Sequence, residues 1–97
     1  MTKASTSRKS IAVVIPNYNG RHLLERNLPS VFNALNSANT AFEIIIIDDC
    51  STDDSVAFLK QSYPTIRLII SDQNQGFSAT CNKGIAVAEK DLILLLN

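Results

Sequence analysis

Four short apolar runs limit what this chain can fold into: IAVVI at residues 11–15, FEIIII at 42–47, IRLIIS at 66–71 and LILLL at 92–96. Each is bounded by turn-forming residues and most are rich in β-branched side chains, so each reads as a strand. The intervals between them are long enough for helices. Leu24, Leu28, Val31, Phe32 and Leu35 recur at three and four residues and mark one face of a helix over residues 21–36. Pro29 interrupts that pattern, and either kinks the helix or marks a restart at Leu28-Pro29, because proline removes a backbone donor. Ser51 or Thr52 is expected to cap a second helix ending near residue 62, with Asp53 and Asp54 in its first turn. Pro64 then separates this helix from the third strand. Gly76 opens a third helix whose inner face is expected to carry Phe77, Cys81, Ile85 and Ala88. The unbroken isoleucine run of the second strand calls for helices on both faces of the sheet. The order is β-α-β-α-β-α-β, which predicts an α/β fold with a Rossmann-like open parallel sheet and right-handed crossovers.

Composition narrows the class further. The 97 residues allow one domain, here 11–97 behind a flexible tail at 1–10. A hydrophobic content of 45% with 19% charged residues is that of an ordinary globular protein. Nine basic and nine acidic residues cancel, but Lys3, Arg8 and Lys9 all lie in the first ten. The remainder is acidic on balance, which argues against a nucleic-acid surface. No apolar leader follows the basic N-terminus, and no apolar run could span a bilayer, so a cytoplasmic location is expected. Cys50 and Cys81 lack CxxC spacing and read as two free, partly buried thiols.

Ligands of open parallel sheets bind beyond the carboxyl ends of the strands, near a reversal of strand order. Polar residues gather at those ends: Asn17, Tyr18 and Asn19, then Asp48 and Asp49, then Ser71 and Asp72, and finally Asn97. Taken singly, each is turn chemistry. At four successive strand ends they mark a site. Asp48 and Asp49 repel one another unless something compensates. One is expected to accept the ring N–H of a nucleobase and the other to cap the following turn, and spacing does not choose between them. Tyr18 either lies against the base, with Pro16 shaping the strand end, or packs its ring on the sheet edge. The Gln75-Gly76 turn offers backbone N–H groups at a helix start, although GxGxxG and GxxxxGK[ST] are both absent. Asn82 and Lys83 follow on that helix, and Lys83 either reaches a diphosphate or is solvated. His22 has no partner at metal spacing and reads as a surface residue.

These residues resemble the family 2 glycosyltransferases of the GT-A fold. Pro16-Asn17-Tyr18-Asn19 matches that family's Pro-x-Tyr-Asn segment. Ile47-Asp48-Asp49-Cys50-Ser51-Thr52-Asp53 matches Val-Asp-Asp-Gly-Ser-x-Asp, with Cys50 in place of Gly. Asn74-Gln75-Gly76 and Asn82-Lys83-Gly84-Ile85 match a third motif, in which Cys81 replaces a residue that many members have as Arg. The resemblance implies the N-terminal half of a GT-A domain that binds a nucleotide-diphospho-sugar donor. It places Pro16, Tyr18, Asn19, Asp48, Asp49, Gly76 and Asn82 around the nucleotide. It makes Asn97 the possible first residue of a metal motif, with Mg or Mn in the full-length enzyme and none tightly bound to this chain. It further implies a polysaccharide, lipopolysaccharide or lipid-linked acceptor, inversion at the sugar, and full-length action peripheral to the inner face of a membrane. The catalytic base and acceptor pocket belong to the family's second half, so this chain is expected to bind nucleotide, to be inactive alone and to self-associate through a bare sheet edge. The competing readings are a receiver-like phosphoacceptor module and a non-catalytic α/β interaction domain.

Overall fold

A computed structural model describes residues 9–97. The described chain runs β1(Ile11–Asn17), α1(Arg21–Ser37), β2(Phe42–Asp48), α2(Ser55–Ser62), β3(Arg67–Ile70), α3(Phe77–Val87) and β4(Leu92–Leu95). The four strands form one parallel sheet in the order β3-β2-β1-β4. The α/β expectation therefore holds, and the order in which the strands are added reverses between β1 and β4.

Strand alternation divides the core into two layers. Val13, Ile15, Ile44 and Ile46 pack with Leu24, Leu28 and Leu35 of α1 and Leu59 of α2. Val14, Ile45 and Ile47 point the other way, where Val87 and Ala88 pack against them. The continuous isoleucine run of β2 is thus covered on both sides. Phe32 stacks on Tyr63 at 5.6 Å, and Phe58 meets the same ring edge-on, which seals α1 against α2.

Several expected boundaries shift. α1 passes through Pro29 as one helix, so there is no restart; Pro29 sits on the exposed side. α2 starts at Ser55, later than expected, and Asp53 lies before it. The Asp53 carboxylate accepts the Ser55 N–H at 3.0 Å and bonds the Ser55 hydroxyl, which is the capping work assigned to Ser51 or Thr52. On α3 the inner face is Thr80, Cys81 and Gly84, while Phe77 and Ile85 are exposed. Gly84 explains that rotation: a Cβ there would lie 2.4 Å from both Ile47 Cδ1 and Val14 Cγ1. The helix lies so close to the sheet that only hydrogen fits. Residues 1–8 of the expected tail lie outside the described residues. Residues 9 and 10 are tied down, since the Lys9 carbonyl accepts from Thr40 Oγ1 and Ser10 bonds Asp91.

β1 was expected to stop before Pro16, yet it continues through it to Asn17. Backbone groups of alternate residues face opposite neighbours. Asn17 O accepts from Asp49 N on the β2 side, and Val14 O accepts from Leu96 N on the β4 side. Pro16 shares the parity of Val14, so its missing N–H faces β4 where that ladder ends. The proline therefore interrupts no rung to β2.

Candidate functional site

The reversal of strand order opens a crevice beyond the ends of β1 and β4, as expected for an open α/β sheet. It is a cavity of about 710 Å³, lined by Pro16 and Asn17 of β1, Tyr18 just beyond it, Asp49 just beyond β2 and Asn97 beyond β4. Gly76, Phe77 and Thr80 contribute from the start of α3, and Leu23, Asn27 and Val31 from α1.

The two aspartates separate cleanly. Asp48, 1% exposed, turns back into the protein. Its carboxylate accepts Asn17 Nδ2 at 2.9 Å, Ser51 N at 2.9 Å and Ser51 Oγ at 2.7 Å. It is the turn cap. Asp49 is also buried, but it lines the cavity. Its Oδ1 accepts Gln75 N at 2.8 Å and its Oδ2 accepts Gly76 N at 2.9 Å. Asn74 Nδ2 reaches the Asp49 carbonyl at 3.2 Å, so the loop before α3 is laced to the end of β2. The Gln75 N–H foremost, then the Gly76 N–H and, least of all, the Lys83 ammonium, holds the Asp49 carboxyl below its ordinary 3.8 against the opposing effect of burial. Thr80 adds little to this: its one hydroxyl proton goes to Gly76 O at 2.6 Å. A carboxylate oxygen has two lone pairs, so Asp49 keeps acceptor capacity after both backbone bonds are made.

Two positions in the loops beside Asp49 have a positive φ. Gly76 has φ +91, a conformation that suits glycine, and it gives α3 its sharp start. Cys50 has φ 63, where glycine would cost nothing and a side chain costs about 1–2 kcal/mol. Its thiol lies 3.4 Å from the Asp72 carbonyl, and both cysteines are free.

The other expected ligands divide. Pro16, Tyr18, Asp49, Gly76 and Asn97 meet at the cavity, with Tyr18 54% exposed. Asn19 does not line it. Its Oδ1 accepts from Thr52 N and Asp53 N at 2.7 and 3.2 Å, clamping the first turn to the second. Asn82 is exposed on α3, outside the cavity lining. Lys83 is half-buried, and its Nζ donates to Ser71 Oγ at 2.8 Å. Asn17, expected at the strand end, lines the cavity, whereas Thr80 was not singled out and the α1 wall was missed. Leu23 carried the available signal: a leucine off the apolar stripe, 59% exposed at the crevice.

A metal does not fit what is here. Among the described residues no three His, Cys, Asp or Glu side chains converge as metal ligands, and Asn97 offers only an exposed carboxamide. No helix of the described residues is long and apolar enough to cross a membrane.

A parallel sheet ordered 3-2-1-4 with a crevice at its reversal places the chain in the Rossmann-like, doubly wound α/β class. Comparison with solved structures gives the fold more closely. A mannosyltransferase, PcManGT from Pyrobaculum calidifontis, in complex with GDP-Man and Mn2+, superposes with TM-score 0.69 at 19% identity, over 91% of this chain and 27% of that one. TarS of S. aureus in complex with UDP-GlcNAc gives TM-score 0.66 at 25% identity, over 90% and 26%. The sequence pattern of Glycosyl transferase family 2 matches residues 12–97, and the chain belongs to that family. The undecaprenyl-phosphate 4-deoxy-4-formamido-L-arabinose transferase of Pseudomonas savastanoi is 32% identical over 92% of this chain. This chain spans 28% of that relative's length.

Proposed function

We propose that this chain is the donor-nucleotide-binding part of a glycosyltransferase that moves a sugar from a nucleotide-diphospho-sugar to an acceptor hydroxyl. The supporting observation is Asp49, a buried carboxylate fixed by two backbone N–H groups at a crevice walled by Pro16 and Tyr18. A carboxylate so held accepts the imino N–H of uracil, thymine or guanine. Tyr18 offers a flat surface to the same base. In the longer polypeptide the acceptor hydroxyl would lose its proton to a base outside the site described. Its oxygen would then bond the anomeric carbon as the bond to the nucleoside diphosphate breaks from the opposite face, inverting that carbon. Relatives that bind GDP-Man or UDP-GlcNAc support the donor class, and the relative that acts on undecaprenyl phosphate supports a lipid-linked acceptor and a site of action at the membrane face. The Mn2+ of the mannosyltransferase complex supports metal assistance in the longer protein, through ligands beyond those described. The chain alone is proposed to bind nucleotide without transferring sugar.

Chemistry supplies the test. Cytosine and adenine lack the imino N–H, so UDP, dTDP or GDP should bind at least about tenfold more tightly than CDP or ADP. Asp49→Ala should abolish that preference in calorimetric or NMR titrations. Equal binding of all five nucleotides by the unsubstituted chain would overturn the reading, and would favour an interaction domain. The receiver-like alternative has no support in the topology, since receivers of the CheY type order their strands 2-1-3-4-5 and this sheet runs 3-2-1-4.

The edge strand supports a second proposal, for self-association of the isolated chain. Leu92, Ile93, Leu94 and Leu95 are each 41–50% exposed on a strand paired on one side only. Sedimentation should show mass rising with concentration, and Ile93→Lys should suppress it. A monomer at all concentrations would dismiss self-association.

A further inference from the structure

Lys83 is a cation that the nucleotide reading leaves without a role. It belongs to α3 and is half-buried, with its ammonium turned to the end of β3. Nζ donates to Ser71 Oγ at 2.8 Å, and Ser71 is buried at the end of β3. Ser71 N in turn donates to the Asp48 carbonyl at 2.9 Å, one residue before Asp49. The loop from Ser71 to Gly76 is therefore fastened at both ends. Its far end hangs on the Asp49 carboxylate through Gln75 N and Gly76 N, and its near end on Lys83.

We propose that Lys83 is a positioning residue for nucleotide recognition: from its seat on Ser71 it holds the loop whose Gln75 and Gly76 N–H groups orient Asp49, and it sets a positive charge near that carboxylate. This rests on the reading of Asp49 as the base acceptor. It also assigns Lys83 a task other than contact with the donor's diphosphate.

The titratable groups around Asp49 leave this task to Lys83. Asp48 is adjacent in sequence, but its carboxylate is spent on Asn17 and Ser51. The Cys50 thiol points to the Asp72 carbonyl, with Asp72 itself in the loop. Tyr18 lines the same crevice from the end of β1. Among the groups that depress the Asp49 carboxyl, Lys83 is the cation. A protonated Asp49 would present a donor where the base N–H needs an acceptor. Binding is therefore complete above the Asp49 pKa and is lost as pH falls through it. Removing Lys83 raises that pKa and moves the acid limb of binding upward.

The experiment compares the unsubstituted chain, Lys83→Met, Lys83→Arg and Asp49→Ala. Each is titrated from about pH 2 to 8 with whichever of UDP, dTDP and GDP binds, and with its nucleoside. Lys83→Met should weaken both probes by the same factor, roughly two- to fivefold at neutral pH. Its acid limb should lie at higher pH, and Lys83→Arg should restore most of both effects. Backbone amide shifts confirm that each variant is folded. A loss confined to the diphosphate would overturn the proposal, because Lys83 would then be a phosphate contact. An unmoved acid limb would overturn it too. If Asp49→Ala binds like the unsubstituted chain, the nucleotide reading itself fails. If Asp49→Ala loses binding while Lys83→Met does not, only the role of Lys83 fails.

Discussion

Replacing Gly84 with alanine lowers the unfolding free energy by about 1–3 kcal/mol, although alanine is the better helix former. Two effects oppose each other. An alanine inside a helix gains close to 1 kcal/mol over glycine from backbone entropy. Against this, the new Cβ meets Ile47 Cδ1 and Val14 Cγ1 at 2.4 Å, well inside contact distance. The Ile47 methyl ends a flexible side chain and can rotate away. The Val14 methyl cannot, because valine has a single soft torsion and sits fully buried in a strand paired on both sides. Relief therefore requires α3 to lift off the sheet, which draws Gly76 and its bond to Asp49 with it. Urea denaturation of Gly84→Ala should show a lower midpoint, and the double variant Gly84→Ala/Val14→Ala should recover part of the loss. A Gly84→Ala midpoint at or above that of the unsubstituted chain would show that α3 does not need this close approach.

Asp48→Ala is expected to destabilise the fold by about 2–4 kcal/mol while leaving base selectivity intact in the molecules that remain folded. Three donors lose their acceptor at once: Asn17 Nδ2, Ser51 N and Ser51 Oγ. Asn17 is itself buried, so its amide is left beside a void with only a 3.4 Å contact to Ser51 Oγ. Asp48→Asn retains one acceptor oxygen and should lose less. The neighbouring Asp49→Ala should show the reverse pattern, with nucleotide selectivity gone. The measurement is denaturant unfolding of each variant beside the same five-nucleotide titration. Lost selectivity in Asp48→Ala with unchanged stability would mean that the two aspartates have exchanged roles.

That contrast shows where the sequence stops informing. Four strands and three helices were legible because β-branched runs and a 3.6-residue stripe carry their own periodicity, as at Ile44–Ile47 and Leu24–Leu35. The crevice was legible because polar residues end all four strands. The roles of Asp48 and Asp49 were not. Adjacent positions on a strand point to opposite faces, and which face holds the ligand depends on where the Gln75-Gly76 loop arrives from the far end of β3. The inner face of α3 was misjudged for a related reason. Phe77 and Ile85 outrank Gly84 in hydrophobicity, but the distance between helix and sheet is set by the smallest residue on the contact face. Asn19 and Lys83 looked like ligands or solvated groups, and each is occupied by a partner remote in sequence.

Pro16 has a consequence for the crevice itself. The last rung between β1 and β4 is the bond from Leu96 N to Val14 O. The next rung of a parallel ladder would run from residue 16 to the Leu96 carbonyl, and proline has no proton to give. The ladder lacks a rung at this point. The chain after Leu96 is held to β1 by one bond fewer. One absent hydrogen thus weakens the pairing at the mouth of the crevice, so the ligand proposed above would have less binding energy to spend in parting the sheet there.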